Sequence, residues 1–385
     1  MLPFSLALAC LSLLVWIVLT FFRGGFWQLR AFDDDIAARA PAAVWPKVVA
    51  IVPARNEAET IRRTVESLAA QKYGGELRIL VVDDHSGDAT SEIVRQIALS
   101  SRERAIGGVI AETLPPGWTG KIWAMHQGVS ATSEGTAEYL WFTDADIVHA
   151  PDTLERLVSR AVNQKFDLVS LMVLLQAKSF AERLLIPAFL YFFLMLYVPR
   201  WISDPKSRTA GAAGGCVLLR RAALERFGGL AAIRGEVIDD CALARAVKRS
   251  GGTIWMGLTR KSVSLRAYTG FGEIRDMIAR TAFTQLRYSV VILLGTLLGL
   301  LLTYLIPVAA TFSDERLTMT AGIAAWLLMA FTYLPTVRFY GLPVPWALLL
   351  PVAAVFYSYA TFLSAVRYWF GRGGQWKGRA QAPAK

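Results

Sequence analysis

The sequence predicts an α/β domain on a mostly parallel β-sheet with flanking helices, with transmembrane helices at both the N- and C-termini. Two observations predict this fold class. Short β-branched runs alternate with helical segments in the middle of the chain, which is typical of a parallel sheet with helices on its faces. Apolar runs of about 20 residues lie near both ends, and a helix needs about that length to span a bilayer.

The distribution of charge favours a membrane partner over nucleic acid. The 385 residues are 54% hydrophobic and carry a formal net charge of +11. No Asp or Glu precedes Asp33 or follows Glu315, whereas nine Lys and Arg residues lie in these two end regions. The basic residues therefore flank the apolar segments, as expected for contact with anionic lipid head groups. A nucleic-acid binder carries its positive charge as a patch on a folded domain, so we predict no nucleic-acid partner.

The cysteines and histidines predict neither a disulfide framework nor a metal cluster. The three cysteines show no C-x-x-C spacing, which indicates a reduced, cytosol-facing body. The three histidines are isolated from one another in the sequence: His85, His126 and His149. We interpret each of them as a single polar residue in a loop.

Four apolar segments are candidates for membrane spans. Residues 1–22 form the first, and no basic region or small-x-small cleavage site precedes Arg23, so we expect a retained anchor rather than a signal peptide. Three more lie within residues 288–366, at 289–312, 318–337 and 343–366. A basic tail, residues 367–385, closes the chain.

A shorter aromatic-rich run, residues 184–199, is interpreted as an interfacial or re-entrant helix, with a buried core helix as the alternative. We expect an integral protein of the bacterial inner membrane whose large domain is cytoplasmic. Three C-terminal spans would then leave the basic tail outside, although basic segments tend to stay inside. Either one of the last segments is re-entrant, or this tendency does not hold here.

Polar residues follow each of three predicted strands in the large domain, residues 40–287. The strands cover residues 47–52, 77–82 and 139–142. In sheets of this class, ligands bind beyond the carboxyl ends of the strands, so residues at these ends are candidates for a site. They are Pro53, Arg55 and Glu57 after the first strand, Asp84 after the second, and Asp144 and Asp146 after the third.

Asp144 and Asp146 form a D-x-D motif directly after the third strand. Residues i and i+2 of an extended stretch project to the same face, so we expect the two carboxylates to point together. Two such carboxylates repel each other unless a cation joins them, and Mg²⁺ or Mn²⁺ binds one or two carboxylates together with substrate phosphates. The motif predicts either a metal that bridges a diphosphate or polar residues at a strand end, and three such strand ends favour the metal.

Two further stretches offer groups for transfer chemistry. Residues 235–252 place Asp239 and Asp240 at the start of an amphipathic helix, either as a base for an acceptor hydroxyl or as ordinary acids at a helix N-terminus. Residues 117–128 place Lys121 in a Gly-flanked loop suited to contact with phosphate. An exposed lysine is the alternative interpretation there.

Taken in this order, the motifs resemble family 2 glycosyltransferases of the GT-A fold over about residues 47–290. VPARNE and VVDDHSGDAT resemble the nucleotide-contacting segments, TGKIWAMHQG the Gly-Lys loop, TDAD the metal motif and IDDCALARAVKRSG the Glu-Asp motif. The resemblance implies a nucleotide-diphosphate sugar donor, transfer with inversion, a divalent cation (Mg²⁺ or Mn²⁺) on Asp146 and Asp144, and Asp240 as catalytic base. It implies substrate contacts from Pro53, Arg55, Glu57, Asp84, Lys121, Asp144 and Asp239.

One motif departs from the pattern of many membrane members, which continue with Gln/Arg-x-x-Arg-Trp. This chain has Thr284, Arg287 and Tyr288 at those positions. The resemblance implies that Arg287 meets the diphosphate and that Tyr288 stacks on a substrate. The altered motif and the small number of spans argue against a processive polysaccharide synthase, which stays an alternative.

The layout of the whole chain most resembles the hopene-associated glycosyltransferases, with the ceramide glucosyltransferases as more distant relatives. This resemblance implies a lipid acceptor such as a hopanoid. A non-catalytic membrane protein with a degenerate transferase domain is the remaining alternative. The intact carboxylates at Asp84, Asp144, Asp146 and Asp240 argue against it.

Overall fold

The computed structural model describes residues 4–33, 45–101, 104–132, 137–371, 373, 375–376 and 379–380. The chain divides into two compact units. An α/β unit comprises Ala31–Gln176, Trp201–Ala267 and Gly374–Lys385, and a helical unit comprises Met1–Arg30, Ala177–Arg200 and Tyr268–Gly373. Two stretches inside the predicted domain of residues 40–287 thus belong to the helical unit. Residues 40–44 of that domain, and 372, 374, 377–378 and 381–385 of the predicted tail, lie outside the described residues.

The α/β unit contains one eight-stranded sheet and helices that pack on it. The strands are β1 Val48–Ala54, β2 Leu77–Asp83, β3 Ala105–Ile110, β4 Tyr139–Thr143, β5 Ile147–His149, β6 Leu168–Leu174, β7 Cys216–Arg220 and β8 Ile254–Ser264. The helices are α2 Ile61–Ala69, α3 Thr90–Ser100, α4 Gly120–Ser130, α5 Thr153–Asn163, α8 Arg221–Arg226 and α9 Asp239–Arg249. Two further short strands, Gln375–Trp376 and Arg379–Ala380, pair with each other.

The strand order of the sheet is β3-β2-β1-β4-β7-β6-β8-β5. The three strands predicted from the sequence lie side by side as β2, β1 and β4, and they are parallel, as is β3. Beyond β4 the sheet is mixed: β7 runs antiparallel to both β4 and β6, because the chain leaves β6 and enters β7 at the same end. The α/β class is confirmed, with the parallel order concentrated in the half that carries the predicted strand ends.

The register of the parallel strands brings their carboxyl ends to one edge. Ala54 is paired with Asp83, so the loops after β1 and β2 begin at the same level of the sheet. Ile51 is paired with Phe142, so the loop after β4 begins slightly earlier on the same side. β1 and β4 are buried along their whole length. The apolar runs therefore form the core, and the first polar residues after them emerge at the edge where ligands bind in this class of sheet.

The stretch between β2 and β4 includes regular structure where the sequence analysis placed a loop at Lys121. It contains β3 and α4, and α4 starts at Gly120, so Lys121 lies in the first turn of a helix rather than in a loop. Gly128 lets this helix pack closely on the sheet, since a Cβ at this position would lie 2.6 Å from Ile51 Cγ2. His126 also lies in α4, which corrects its assignment to a loop.

A buried ion cluster holds the start of the α/β unit against α5 and β8. Asp33 Oδ2 lies 3.3 Å from Arg156 Nε, and its Oδ1 lies 3.3 Å from Arg160 Nη2. The Arg160 guanidinium stacks over Trp255, 3.6 Å from the ring centroid. All three charged residues are buried, and burial raises the pKa of Asp33 in spite of the two arginines. Opposite charges that are desolvated together depend on one another for their stability.

Replacing Asp33 with alanine is expected to lower the free energy of unfolding by about 3 kcal/mol, because two buried guanidinium groups lose their carboxylate. Thermal or denaturant unfolding of the purified full chain measures this change. Glu76→Gln is the matched control. Its partner Lys47 lies 2.9 Å away at an exposed site, and exposed pairs contribute less than about 1 kcal/mol. Equal losses for the two variants would contradict the prediction.

The helical unit contains the candidate membrane spans. Its α-helices are α1 Phe4–Phe21, α6 Phe180–Leu196, α10 Phe271–Gln285, α11 Val290–Leu300, α12 Ile306–Thr311, α13 Arg316–Phe339 and α14 Leu350–Trp369. A π-helical stretch, Leu301–Leu305, precedes α12, and a 3-10 stretch, Val344–Leu349, precedes α14. The short helix α7, Pro199–Ser203, lies at a boundary between the units. Within the described part of the chain, four helices are long and apolar enough to cross a membrane: Phe4–Phe21, Val290–Thr311, Arg316–Phe339 and Val344–Trp369. These are the four apolar segments that the sequence indicated.

The aromatic-rich segment predicted at residues 184–199 forms most of α6. Tyr191 is buried within the helical unit, and its hydroxyl lies 2.8 Å from that of Thr332. The Tyr357 hydroxyl donates a hydrogen bond to the Leu185 carbonyl at 3.0 Å. One side of α6 thus packs on α13 and α14, two of the helices long and apolar enough to cross a membrane. Its placement at the membrane interface stays a prediction.

Candidate active site

Two of the strand-end loops are joined by hydrogen bonds. The Asn56 backbone N–H donates to Ser86 Oγ at 2.9 Å, and the Gly87 N–H donates to Asn56 Oδ1 at 2.8 Å. The Ala58 N–H donates to Asp88 Oδ2 at 3.0 Å. Asn56 adopts a left-handed backbone conformation, with φ of 52°, which asparagine tolerates better than most residues. The loops after β1 and β2 therefore form one surface at the sheet edge.

Arg55 and Asp84 meet beneath this surface. Arg55 Nη1 donates to the Asp84 backbone carbonyl and lies 3.5 Å from Asp84 Oδ2. Asp84 is fully buried, and its backbone N–H donates to Ala54 O at 2.8 Å. The sequence-predicted pair is thus brought together, with Arg55 at the more accessible position.

Lys121 joins two of the predicted carboxylates. Its Nζ lies 2.8 Å from Asp144 Oδ1 and 3.0 Å from Asp239 Oδ2. Burial lowers the pKa of Lys121, but the charges of Asp144 and Asp239 outweigh burial and raise the pKa above its usual range, so the ammonium stays charged. Pro53 and Asp240 line the same crevice. Four segments distant in the sequence therefore converge on one cationic group.

Asp240 lies beside this bridge in the first turn of α9. Its Oδ2 accepts a hydrogen bond from the Gly214 N–H at 2.8 Å, and its Oδ1 accepts one from the Cys241 N–H at 2.7 Å. Burial, together with the like charge of Asp239, raises the pKa of Asp240 to about 6. A carboxylate with a pKa near the working pH is suited to accept a proton, whereas a helix-capping acid keeps a low pKa.

In the D-x-D motif each carboxylate contacts a different basic residue. Asp144 and Asp146 lie in a turn, in which the Ile147 N–H donates to Asp144 O at 3.3 Å. Asp144 faces Lys121, whereas Asp146 Oδ2 lies 3.2 Å from Arg266 Nε. Strand β4 ends at Thr143, so the alternation of a strand does not by itself set the directions of Asp144 and Asp146, and their joint binding of a cation stays a prediction.

Arg266 is a site residue that the sequence reasoning missed. It joins Asp146 to Glu57, because its Nη2 lies 3.2 Å from Glu57 Oε1. Arg266 comes two residues after β8, a long strand that was not predicted. The strand-end rule that found Asp84 and Asp144 would have pointed to Arg266 as well, had residues 254–264 been recognised as a strand.

The residues present fit a divalent cation. Asp144 and Asp146 supply the hard oxygen ligands that Mg²⁺ and Mn²⁺ prefer, and such ions often bind to one or two carboxylates with phosphates as further ligands. Among the described residues, no three His, Cys, Asp or Glu side chains are grouped as metal ligands. A cation held by these two carboxylates would leave coordination positions for a phosphate-bearing ligand.

Arg287 and Tyr288 lie in the helical unit, just after α10. Both have a left-handed backbone conformation, with φ of 55° and 56°. The Tyr288 ring stacks on Tyr368, with 4.4 Å between the ring centroids, and packs edge-on against Phe283. Their predicted contacts with a diphosphate and a substrate stay predictions.

Residues 49–228 match the model of the family described as Glycosyl transferase family 2. The match covers a little under half of the chain and confirms a glycosyl transferase family 2 domain within it. It includes the loops after β1, β2 and β4 as well as Lys121. Asp239, Asp240 and Arg266 lie beyond the matched residues.

Curated relatives match over shorter stretches. The "Probable glycosyltransferase YdaM" of Bacillus subtilis (strain 168) is 31% identical over 139 residues, which cover 34% of this chain and 32% of that protein. The "4,4'-diaponeurosporenoate glycosyltransferase" of Staphylococcus haemolyticus (strain JCSC1435) is 29% identical over 117 residues, 30% of this chain and 28% of that protein. The chain thus spans about a third or less of the length of these curated relatives.

A solved structure resembles nearly the whole chain. It is the "Mannosyltransferase PcManGT from Pyrobaculum calidifontis in complex with GDP-Man and Mn2+", which covers 96% of this chain and 99% of its own, with a TM-score of 0.58 and 18% sequence identity. A likeness at this identity concerns the fold. It confirms the predicted GT-A-type fold with apolar helices at the termini.

Proposed function

We propose that the protein is a membrane-bound glycosyltransferase that moves a sugar from a nucleotide-diphosphate sugar to a lipid hydroxyl with inversion. The observation that carries this proposal is the crevice in which Lys121 bridges Asp144 and Asp239 beside Asp240. It combines a fixed positive charge with a carboxylate whose pKa is about 6. Sugar transfer from a diphosphate needs both a group that faces the departing negative charge and a base for the acceptor.

The residues of the crevice have separable roles in this reaction. Asp240 accepts the proton of the acceptor hydroxyl, whose oxygen bonds to the anomeric carbon as the bond from that carbon to the diphosphate breaks. The Gly214 and Cys241 N–H groups hold the Asp240 carboxylate in place. Lys121 orients Asp144 and Asp239 around the site. A divalent cation, when bound by Asp146 and Asp144, would supply Lewis-acid neutralisation of the leaving diphosphate.

Two observations support the choice of donor and acceptor. The similar mannosyltransferase is in complex with GDP-Man and Mn²⁺, which makes GDP-sugars with Mn²⁺ the first donors and cofactor to test. UDP-sugars and Mg²⁺ are tested beside them because the family resemblance implies a nucleotide-diphosphate sugar and either cation. Four helices long and apolar enough to cross a membrane favour an amphiphilic acceptor that is supplied from the bilayer. A hopanoid is the lipid that the sequence resemblance suggests. The proposal also places the α/β unit on the cytoplasmic side of a bacterial inner membrane.

The test is sugar transfer by the purified full chain in detergent or lipid nanodiscs. Radiolabelled UDP- and GDP-sugars are supplied with a lipid extract, with or without Mn²⁺, and the lipid products are read by mass spectrometry. A lipid that gains the mass of one sugar supports the proposal. A ladder of masses would instead favour a processive synthase, and the absence of both donor binding and transfer would refute a catalytic role.

The pH profile of transfer is expected to follow the ionisation of Asp240. Only the carboxylate can accept a proton, so kcat/KM should fall about tenfold per pH unit below the pKa of about 6 and level off above it. The measurement is kcat/KM between pH 5 and 8. Donor affinity over the same range is the control, and a flat profile of kcat/KM from pH 5 to 7 would contradict the assignment of Asp240 as base.

A further inference from the structure

A chain of buried hydrogen bonds runs from β8 through β5 to the residues before β7. His149 Nδ1 lies 2.8 Å from the Ser262 hydroxyl, and His149 Nε2 lies 2.8 Å from the Thr143 hydroxyl. The Thr143 hydroxyl lies 2.9 Å from the Gly215 carbonyl oxygen. All three side chains are buried. His149 is the last residue of β5, which corrects its assignment to a loop.

The groups in this chain fix its direction. The Gly215 carbonyl can only accept, so Thr143 donates its single hydroxyl proton there. Thr143 Oγ1 must then accept from the Nε2–H of His149, and Nδ1 must accept from the Ser262 hydroxyl. Burial lowers the pKa of His149 to about 3, so the imidazole is neutral, with its proton on Nε2.

The backbone that this chain reaches also holds Asp240. The Ala213 N–H donates to Ser170 Oγ at 2.8 Å, and the Gly214 N–H donates to Asp240 Oδ2 at 2.8 Å. A Cβ on Gly214 would lie 3.1 Å from Lys121 Nζ, so this backbone passes directly against the charged bridge. The position of residues 213–215 therefore sets the position of the Asp240 carboxylate.

We propose that His149 and Thr143 are positioning residues that fix the distance between the Asp144 turn and the Asp240 carboxylate. Thr143 immediately precedes Asp144, and its hydroxyl donates to the carbonyl of Gly215, the residue after Gly214, whose N–H binds Asp240. The inference rests on the proposed function, since it takes the donor to bind on the Asp144 side and Asp240 to act on the acceptor. A small misplacement of two reacting groups can cost about 10²-fold in rate.

The test compares three variants of the full chain by kcat per donor-binding site. Thr143→Val removes the hydroxyl at constant shape and is expected to lower this kcat by about 10- to 100-fold, as other buried orienting contacts do. Thr143→Ser keeps the hydroxyl and should stay within about threefold of the parent protein. Thr153→Val is the matched control, because the buried Thr153 hydroxyl has no hydrogen-bond partner among the described residues.

Normalising to donor-binding sites separates positioning from stability. A purely structural defect lowers the number of binding sites but leaves the turnover of each site unchanged. If Thr143→Val gives too little folded protein, Ser262→Ala serves as the second variant. Without the Ser262 hydroxyl, the buried imidazole loses the contact at Nδ1 that holds the ring in place against the Thr143 hydroxyl. We expect about a tenfold loss for it.

Nitrogen NMR of histidine-labelled protein tests the network without any assay of transfer. The chain has three histidines, so His85→Gln and His126→Gln assign the signals. We expect a neutral ring with the proton on Nε2 for His149 at pH 7. A proton on Nδ1, a charged ring, or unchanged turnover per site in Thr143→Val and Ser262→Ala would overturn the inference. Absence of transfer by the parent protein would instead refute the proposed function, and the NMR result would still decide the network.

Discussion

Asp240→Asn is expected to lower sugar transfer by about 10²- to 10⁴-fold, the usual contribution of a general base. The amide cannot accept the acceptor proton, but it can keep the hydrogen bond from the Gly214 N–H through its oxygen. Donor binding should therefore change little. The measurement pairs kcat with a donor titration on the same preparation.

The control for this variant is Asp314→Asn, an exposed residue in the loop before α13. It makes the same chemical change without touching the crevice, so transfer should be unchanged. Full turnover in Asp240→Asn would remove Asp240 as the base. Loss of donor binding together with loss of transfer would place Asp240 in donor recognition instead.

Lys121→Met is the second change with a large expected effect. Methionine has a similar length, but it leaves the carboxylates of Asp144 and Asp239 without the ammonium that lies 2.8 and 3.0 Å from them. Their mutual repulsion should displace the Asp144 turn and α9. We expect kcat/KM for the donor to fall by about 10²-fold, which corresponds to about 2.7 kcal/mol.

Lys121→Arg tests whether charge alone suffices. The guanidinium keeps the positive charge but is larger and planar, so it should recover only part of the loss. The readout is kcat/KM for the donor, together with the melting temperature to exclude unfolding. Equal kinetics for Lys121→Met and the parent protein would show that the bridge has no part in donor binding.

The parallel half of the sheet could be predicted from the sequence because its strands carry a local signal. Buried parallel strands appear as short apolar runs, which are rich in β-branched residues in β1 and β2 and in aromatic residues in β4. The polar residues after these strands became candidates because ligands bind beyond the carboxyl ends of the strands in sheets of this class. The choice of Arg55, Asp84 and Asp144 as candidates rests on that rule, and the choice of Lys121 rests on its Gly-flanked segment and on the family resemblance.

The contacts of the site could not be predicted, because they depend on the path of the chain between strands. Asp144 and Asp146 lie in a turn and contact different basic residues, for which the sequence motif gives no sign. The position of Arg266 depends on β8, the strand that precedes it. β8 pairs with β5 and β6, which come much earlier in the sequence. His149 looked like an isolated loop residue, because its two partners, Thr143 and Ser262, lie on other strands.

The Lys121 bridge also has a consequence for the order in which the molecule folds. Its partners come from the turn after β4 and from α9, so the bridge closes only when segments far apart in the sequence have met. Contacts of this kind carry a high loop-closure entropy and tend to form late. Interactions that are absent from the folding transition state act mainly on the rate of unfolding. The crevice should therefore influence how long the native state persists much more than how fast it is reached.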